Sequence, residues 1–186
     1  MKILISFLYL YLFASYSNLK DNEMHKIKLT SSEFTEGADI PAKYTCDGQN
    51  VSPPLHWEND NSATQSIAIV CEDPDAASGN WVHWLMYNIP PTGFRLPEAI
   101  PNIAKLPDGS LQGKNDFKQL GYGGPCPPKG THRYLFRVYL LDQKLDLPSG
   151  IDQKKLSEAM KGHILAEGLL SAKYASTRKR TNVDGF

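Results

Sequence analysis

The sequence predicts a mostly β domain with largely antiparallel strands, and three observations carry this. Runs of β-branched and aromatic residues recur at 66–71 (SIAIVC), 81–89 (WVHWLMYNI) and 134–141 (YLFRVYLL). The stretches between them are long and rich in proline and glycine, which ends each run sharply. A single clear helical pattern comes late, at 151–161. Short strands, long connections and one late helix suit an antiparallel fold better than alternating β-α units.

The 186 residues fit one domain preceded by a removable leader. A chain of this size buries about 70% of its unfolded surface, so it needs neither metal nor disulfide to hold a core. Twenty basic residues balance twenty acidic ones. That balance argues against a nucleic-acid binder driven by phosphate contacts. The basic cluster Arg178-Lys179-Arg180 reads as a solvated end.

Lys2 followed by an apolar run at 3–13, then Ala14, Ser15 and Ser17, has the layout of a secretory signal at 1–17. The run is shorter than the roughly 20 residues that span a bilayer. An exported protein, periplasmic or secreted, is expected, with an uncleaved anchor as the alternative; after cleavage no integral membrane segment remains. A polar linker follows at 18–26, and residues 27–186 form the domain.

Along that domain, Ile27, Leu29 and Ser31 alternate with polar residues as a first strand. Residues 36–57 make a long ordered loop, punctuated by prolines and glycines but anchored by Tyr44, Val51, Leu55 and Trp57. A polar turn at 59–65 leads into the 66–71 strand. Pro90, Pro91 and Gly93 stop the 81–89 strand, and residues 92–120 show little regular pattern, with Phe117 as an apolar plug. The helix places Leu156, Ala159 and Met160 on one face, with Ser149 or Asp152 as N-cap and Gly162 as its stop. Residues 163–174 suit either class; strand is preferred because Gly162 and Gly168 each weaken a helix by about 1 kcal/mol. Cys46, Cys71 and Cys126 are too few for a disulfide framework, and either one bridge with one free thiol or three unpaired residues fits.

Chemistry concentrates in two places. Residues 121–142 join a glycine hinge (Gly121, Gly123, Gly124), a rim of Pro125, Pro127 and Pro128, His132 and an apolar strand. The glycines permit positive φ and uncovered backbone donors, whereas the prolines are stiff and donor-free. The second place, CEDPDAASGNWVHW, sets Asp73 at a strand end and His83 between Trp81 and Trp84. Strict alternation puts Trp81 and His83 on one face, with Val82 and Trp84 on the other.

Asp73-Pro74-Asp75-Ala76 with Trp81 and His83, followed by GYGGPCPP and His132-Arg133-Tyr134, resembles the phosphatidylethanolamine-binding protein family, in particular its bacterial Raf-kinase-inhibitor-like branch. YTCDGQNVSPPLHW and the helix-then-strand ending extend the resemblance from residue 27 to residue 174. It implies a central antiparallel sheet, a smaller second sheet, one or two short helices near the C-terminus, and an anion pocket at one end. Carried over by position, the pocket residues are Asp73, His83, Pro128, His132 and Tyr134. Asp75, Trp81, Gly124, Cys126 and Pro127 form its rim or support. Ala77 stands where the motif usually has a proline. The resemblance implies no metal and no cofactor.

Two imidazoles can hydrogen-bond a phosphate, and Asp73 can orient one of them. The function expected is a non-enzymatic protein binding a small anion, such as phosphate or a phosphorylethanolamine-like headgroup. The alternative is inhibition of a kinase or peptidase through a protein partner. A hydrolase ranks lower: no GxSxG elbow occurs, and Cys126 beside His132 is the only nucleophile–base pair in view. A metal site on Asp73, Asp75, His83 and His132 ranks lower still.

Overall fold

The computed structural model describes residues 25–58 and 61–177. The expected leader, the start of the linker and the Arg178–Arg180 cluster lie outside these residues. The strands are β1 (His25–Lys26), β2 (Leu29–Thr30), β3 (Leu55–Trp57), β4 (Ser66–Asp73), β5 (Trp81–Ile89), β6 (Arg95–Leu96), β7 (Leu111–Gln112), β8 (His132–Leu141) and β9 (Ile164–Tyr174). The helix α1 spans Gln153–Met160, and a 3-10 turn spans Ala42–Tyr44.

The large sheet has the order β1-β9-β8-β4-β5-β7, and the small one β2-β3-β6. The large sheet is antiparallel except at its edge, where β1 runs parallel to β9, so it is mixed rather than purely antiparallel. One face packs against the small sheet and the long 31–54 loop, burying Tyr44, Leu55, Trp57, Ile69, Trp84 and Phe136. The other carries α1 and its approach, with Val70, Val82, Leu85, Ile151, Leu156 and Met160. β4 is buried along nearly its whole length because both faces are covered, hence its continuous apolar run.

The opening of the domain differs from the expected single strand. Residues 25–26 pair with β9, the Ile27 N–H reaches the Glu167 carbonyl at 2.9 Å, and residues 29–30 pair with β3. The chain thus passes from one sheet to the other within a few residues. That crossing explains Gly168 in the middle of β9: a Cβ there would lie 2.8 Å from the Ile27 carbonyl oxygen and 2.9 Å from Val138 Cγ1. The 163–174 stretch is a strand from Ile164 onward, as preferred, and its glycine makes room for a neighbouring backbone.

The helix is shorter than expected. Asp152 caps it, accepting the Lys155 N–H at 2.9 Å, and Gly162 leaves it at φ +84. Residues 92–120 add β6 and β7, each two residues long and each paired to a longer strand.

Alternation in β5 breaks at His83. Trp84 faces Cys71 and Val82 faces Glu72, so His83 is an extra residue in the ladder. This bulge turns Val82 to the α1 side and Trp84 to the small-sheet side. Val82 and Trp84 therefore do not share a face, contrary to strict alternation, and Trp84 shares its sheet face with His83.

Candidate functional site

β4 ends, β5 begins, β8 begins and β9 ends at one end of the large sheet, a consequence of antiparallel pairing. Asp73 pairs with Trp81 across β4–β5. On the other side the register Glu72↔Leu135 brings Asp73 level with Tyr134 at the next step, with His132 two residues further on the same face. Four polar or aromatic side chains distant in sequence thereby meet at the end of the small-sheet-side core.

They border a cavity of about 700 Å³. Asp73, His83, Pro128, His132 and Tyr134 all line it, as do Trp81, Gly124, Cys126 and Pro127. The outer lip is Ala76, Ala77 and Ser78, where the missing motif proline falls. Asn50, Asp116, Phe117, Lys118 and Gln119 complete the wall and are residues that sequence reasoning did not assign to the site. Phe117, expected as a plug, stands edge-on to Trp81 and His83 with ring centres 5.4 and 5.3 Å away. The polar turn Asn115-Asp116 before an aromatic residue was the available signal.

Asp73 is 3% exposed, and its Oδ2 accepts the His132 Nδ1–H at 2.7 Å. Its Oδ1 accepts the Asp75 N–H at 2.8 Å, closing the turn after β4. Both oxygens of this buried carboxylate are thus engaged, and His132 is left with Nε2 for any ligand. Among the described residues the buried Tyr134 hydroxyl has no hydrogen-bond partner. Burial pushes its pKa up, and the charge of Asp73 adds to this, so it stays a neutral phenol.

His83 is 2% exposed, and its Nδ1–H donates to the Gly123 carbonyl at 2.6 Å. The Gly123 N–H returns a bond of 2.9 Å to the His83 carbonyl. Burial holds the imidazole below its ordinary pKa; the Gly123 carbonyl and the charges of Asp73 and Asp116 work against burial without overcoming it. Asp116 also accepts the Val82 N–H at 2.8 Å, fixing the start of β5.

The glycine hinge does not supply free donors. The N–H groups of Gly121, Tyr122, Gly123 and Gly124 go to the Gly113 carbonyl, Asn102 Oδ1, the His83 carbonyl and Asn50 Oδ1. Of Gly121, Gly123 and Gly124, only Gly121 has positive φ, at +79. Gly124 is required instead by close approach: a Cβ there would lie 2.5 Å from Asn50 Oδ1 and 2.6 Å from the Tyr44 carbonyl oxygen.

Cys46 and Cys126 form a disulfide, and Cys71 remains a buried thiol whose pKa burial drives well up. The bridge, together with a 3.0 Å bond from the Cys46 N–H to the Pro125 carbonyl, fastens the proline rim to the 42–50 loop. With its sulfur bonded to Cys46, Cys126 offers no thiol to pair with His132, as the hydrolase reading requires.

Asp75 turns away from the cavity. Its carboxylate accepts from the Arg133 N–H, Nε and guanidinium NH2 group at 2.9, 2.9 and 2.7 Å, and these bonds pull its pKa down to about 2. It supports the site by joining the 74–80 turn to the start of β8, not by bonding the backbone of its own turn. Turned this way, it leaves a four-ligand metal set incomplete.

A family model described as phosphatidylethanolamine-binding protein matches residues 30–175. A UPF0098 protein of Methanothermobacter thermautotrophicus is 49% identical over 148 residues, covering 80% of this chain and 98% of that protein. Another, from Aquifex aeolicus, is 40% identical over 151 residues, covering 80% and 88%. Among solved structures, a putative phosphatidylethanolamine-binding protein homolog from Chlamydia trachomatis is similar with a TM-score of 0.75 at 36% identity, over 82% of this chain and 99% of that one. E. coli YbcL, described as a new member of the mammalian PEBP family, gives a TM-score of 0.75 at 32% identity with the same coverage. On sequence and fold together, the chain belongs to the phosphatidylethanolamine-binding protein family.

Proposed function

We propose that this chain is a non-enzymatic binding protein whose cavity takes a small anion of the phosphate-ester or phospholipid-headgroup class. The observation that carries this is the 2.7 Å pair of buried Asp73 and partly buried His132, which with His83 lines a cavity large enough for such a group. A protonated His132 has its charge balanced by Asp73 at Nδ1 and presents Nε2–H to the ligand, a charge-assisted donor in a partly dry site. Membership of a family described by its binding of phosphatidylethanolamine supports the ligand class. The proline rim adds shape without donors that need partners.

Export remains part of this proposal, and the Cys46–Cys126 bridge supports it, since such bridges persist in oxidising compartments. The ligand class is tested by calorimetric titration of phosphate and of phosphorylethanolamine. Binding that strengthens as pH is lowered from about 7 to 6 is expected, across the ordinary histidine range. Absence of binding heat at every pH overturns the reading.

A further inference from the structure

Asp73, Asp75 and Asp116 differ in what balances their charge. Asp73 is paired with His132, and both of its oxygens are engaged. Asp75 is held by Arg133 and turned away from the cavity. Asp116 lines the cavity half-buried, and its Oδ2 accepts the Val82 N–H at 2.8 Å. Among the described residues its Oδ1 accepts no hydrogen bond, and no lysine or arginine forms an ion pair with it. A carboxylate withdrawn from water with no cation beside it is costly, and it invites one.

The rest of the wall does not supply that cation. Lys118 is the one permanently cationic side chain among the described lining residues, and it is exposed. Protonating His132 balances Asp73 and Asp116 without making the wall positive. The aromatic rings divide the cavity in the same way. His83 lies between Tyr134 and Phe117, with ring centres 5.1 and 5.3 Å away. Tyr134 is on the β8 side with His132 and Asp73. Phe117 follows Asp116 on the other side of β5, where the Asp116 N–H bonds the Val82 carbonyl, and it stands edge-on to Trp81. The histidine–carboxylate pair and the unbalanced carboxylate thus flank His83 from opposite sides. Beside Asp116, the half-buried rings of Trp81 and Phe117 offer π surface that attracts an ammonium.

Resting on the anion-pocket reading above, we propose that Asp116, with Trp81 and Phe117, forms a cation subsite that selects zwitterionic phosphate esters, in which a short chain joins phosphate to an ammonium. The phosphate meets His132, and the ammonium meets Asp116 and the two rings. Such a ligand brings the positive charge that the wall lacks, whereas a bare phosphate leaves Asp116 unbalanced and is repelled by it. An ion pair with a cation–π contact in a partly dry site favours the amine-bearing ester by roughly tenfold. The class covers free alkanolamine phosphates and the headgroups of lipids built on them.

The test titrates phosphorylethanolamine and propyl phosphate by calorimetry at about pH 6 into the native chain and into Asp116→Asn. The two esters have the same length and differ only in an ammonium against a methyl group. The native chain is expected to bind the amine-bearing ester about tenfold more tightly, and the variant to bind the two within about threefold of each other. Asparagine still offers an oxygen to the Val82 N–H, and a thermal melt checks that the variant folds. Glycerophosphorylethanolamine separates the sources: tighter binding than phosphorylethanolamine indicates a lipid headgroup and weaker binding a free ester, and either order, with the preference for the amine kept, supports the subsite. A native chain that binds propyl phosphate as tightly as phosphorylethanolamine overturns the proposal whether or not the variant folds. A folded Asp116→Asn chain that keeps the full preference also overturns it. In both cases the binding of propyl phosphate leaves the anion pocket standing. Binding of none of the three esters overturns the pocket reading itself and the proposal with it.

Discussion

Asp73 Oδ2 accepts the His132 Nδ1–H at 2.7 Å across 59 residues of sequence, and the carboxylate that does so is buried. The antiparallel register of β4 and β8 makes this pair, and the Asp75 N–H on the second oxygen holds the carboxylate in its rotamer. Asp73→Asn keeps the shape and an acceptor oxygen but removes the charge that balances a protonated His132. Phosphate affinity should fall at least about tenfold with the melting temperature little changed. Calorimetry beside a thermal melt checks both; unchanged affinity would show that the pair is structural only.

Cys46–Cys126 closes a loop across 80 residues. On chain-entropy grounds the bridge stabilises by up to about 4.5 kcal/mol. Urea unfolding with and without a dithiol reductant should show a large drop in midpoint for the native chain. A Cys46→Ser, Cys126→Ser double variant should show none. Because both cysteines border the cavity, the reduced protein should also bind phosphate more weakly.

Gly124 sits against Asn50 and Tyr44 with no space for a side chain. Gly124→Ala forces the rim off the 42–50 loop and should cost about 1–3 kcal/mol in denaturant unfolding. A neutral result would mean that the two loops separate without penalty.

His83 is buried with its pKa below the ordinary value, burial being the main cause. The sign follows from linkage. As pH falls below about 6.5 the unfolded chain takes up this proton first, so the stability present above that pH is lost as pH drops toward the folded pKa. Urea midpoints between about pH 7 and 5 should therefore decline for the native chain and decline less for His83→Gln. Equal slopes for the two would contradict a neutral buried His83.

The long strands could be seen in the sequence because β4 and β5 are buried nearly throughout, and β8, which alternates buried and half-buried residues, is a long run of strand formers. The edges were not legible. Residues 25–30 form two strands in two sheets, and β6 and β7 are two residues each; such pieces exist only because a longer neighbour pairs with them. Asp73, Trp81, His83, Pro128, His132 and Tyr134 of the two motifs border one cavity, whereas Asp75 does not, and their bonding was not legible in the sequence. The bulge at His83 breaks the period-two rule without any sequence mark, and the hinge glycines spend their N–H groups inside the protein rather than on a ligand. Three cysteines left the pairing open, and only the fold brings Cys46 to Cys126 while burying Cys71. Asp116, Phe117 and Lys118 were hidden in a segment without periodicity.

The most direct measurement is a phosphorylethanolamine titration of the native chain and of His132→Ala at about pH 6, each accompanied by a thermal melt. His132 begins β8 at the cavity and is only partly buried, so the variant should fold with its melting temperature nearly unchanged. The account predicts one site per chain in the native protein and binding weakened by at least about tenfold in the variant. A native chain that binds nothing, or a folded His132→Ala variant that binds as tightly as the native chain, contradicts it.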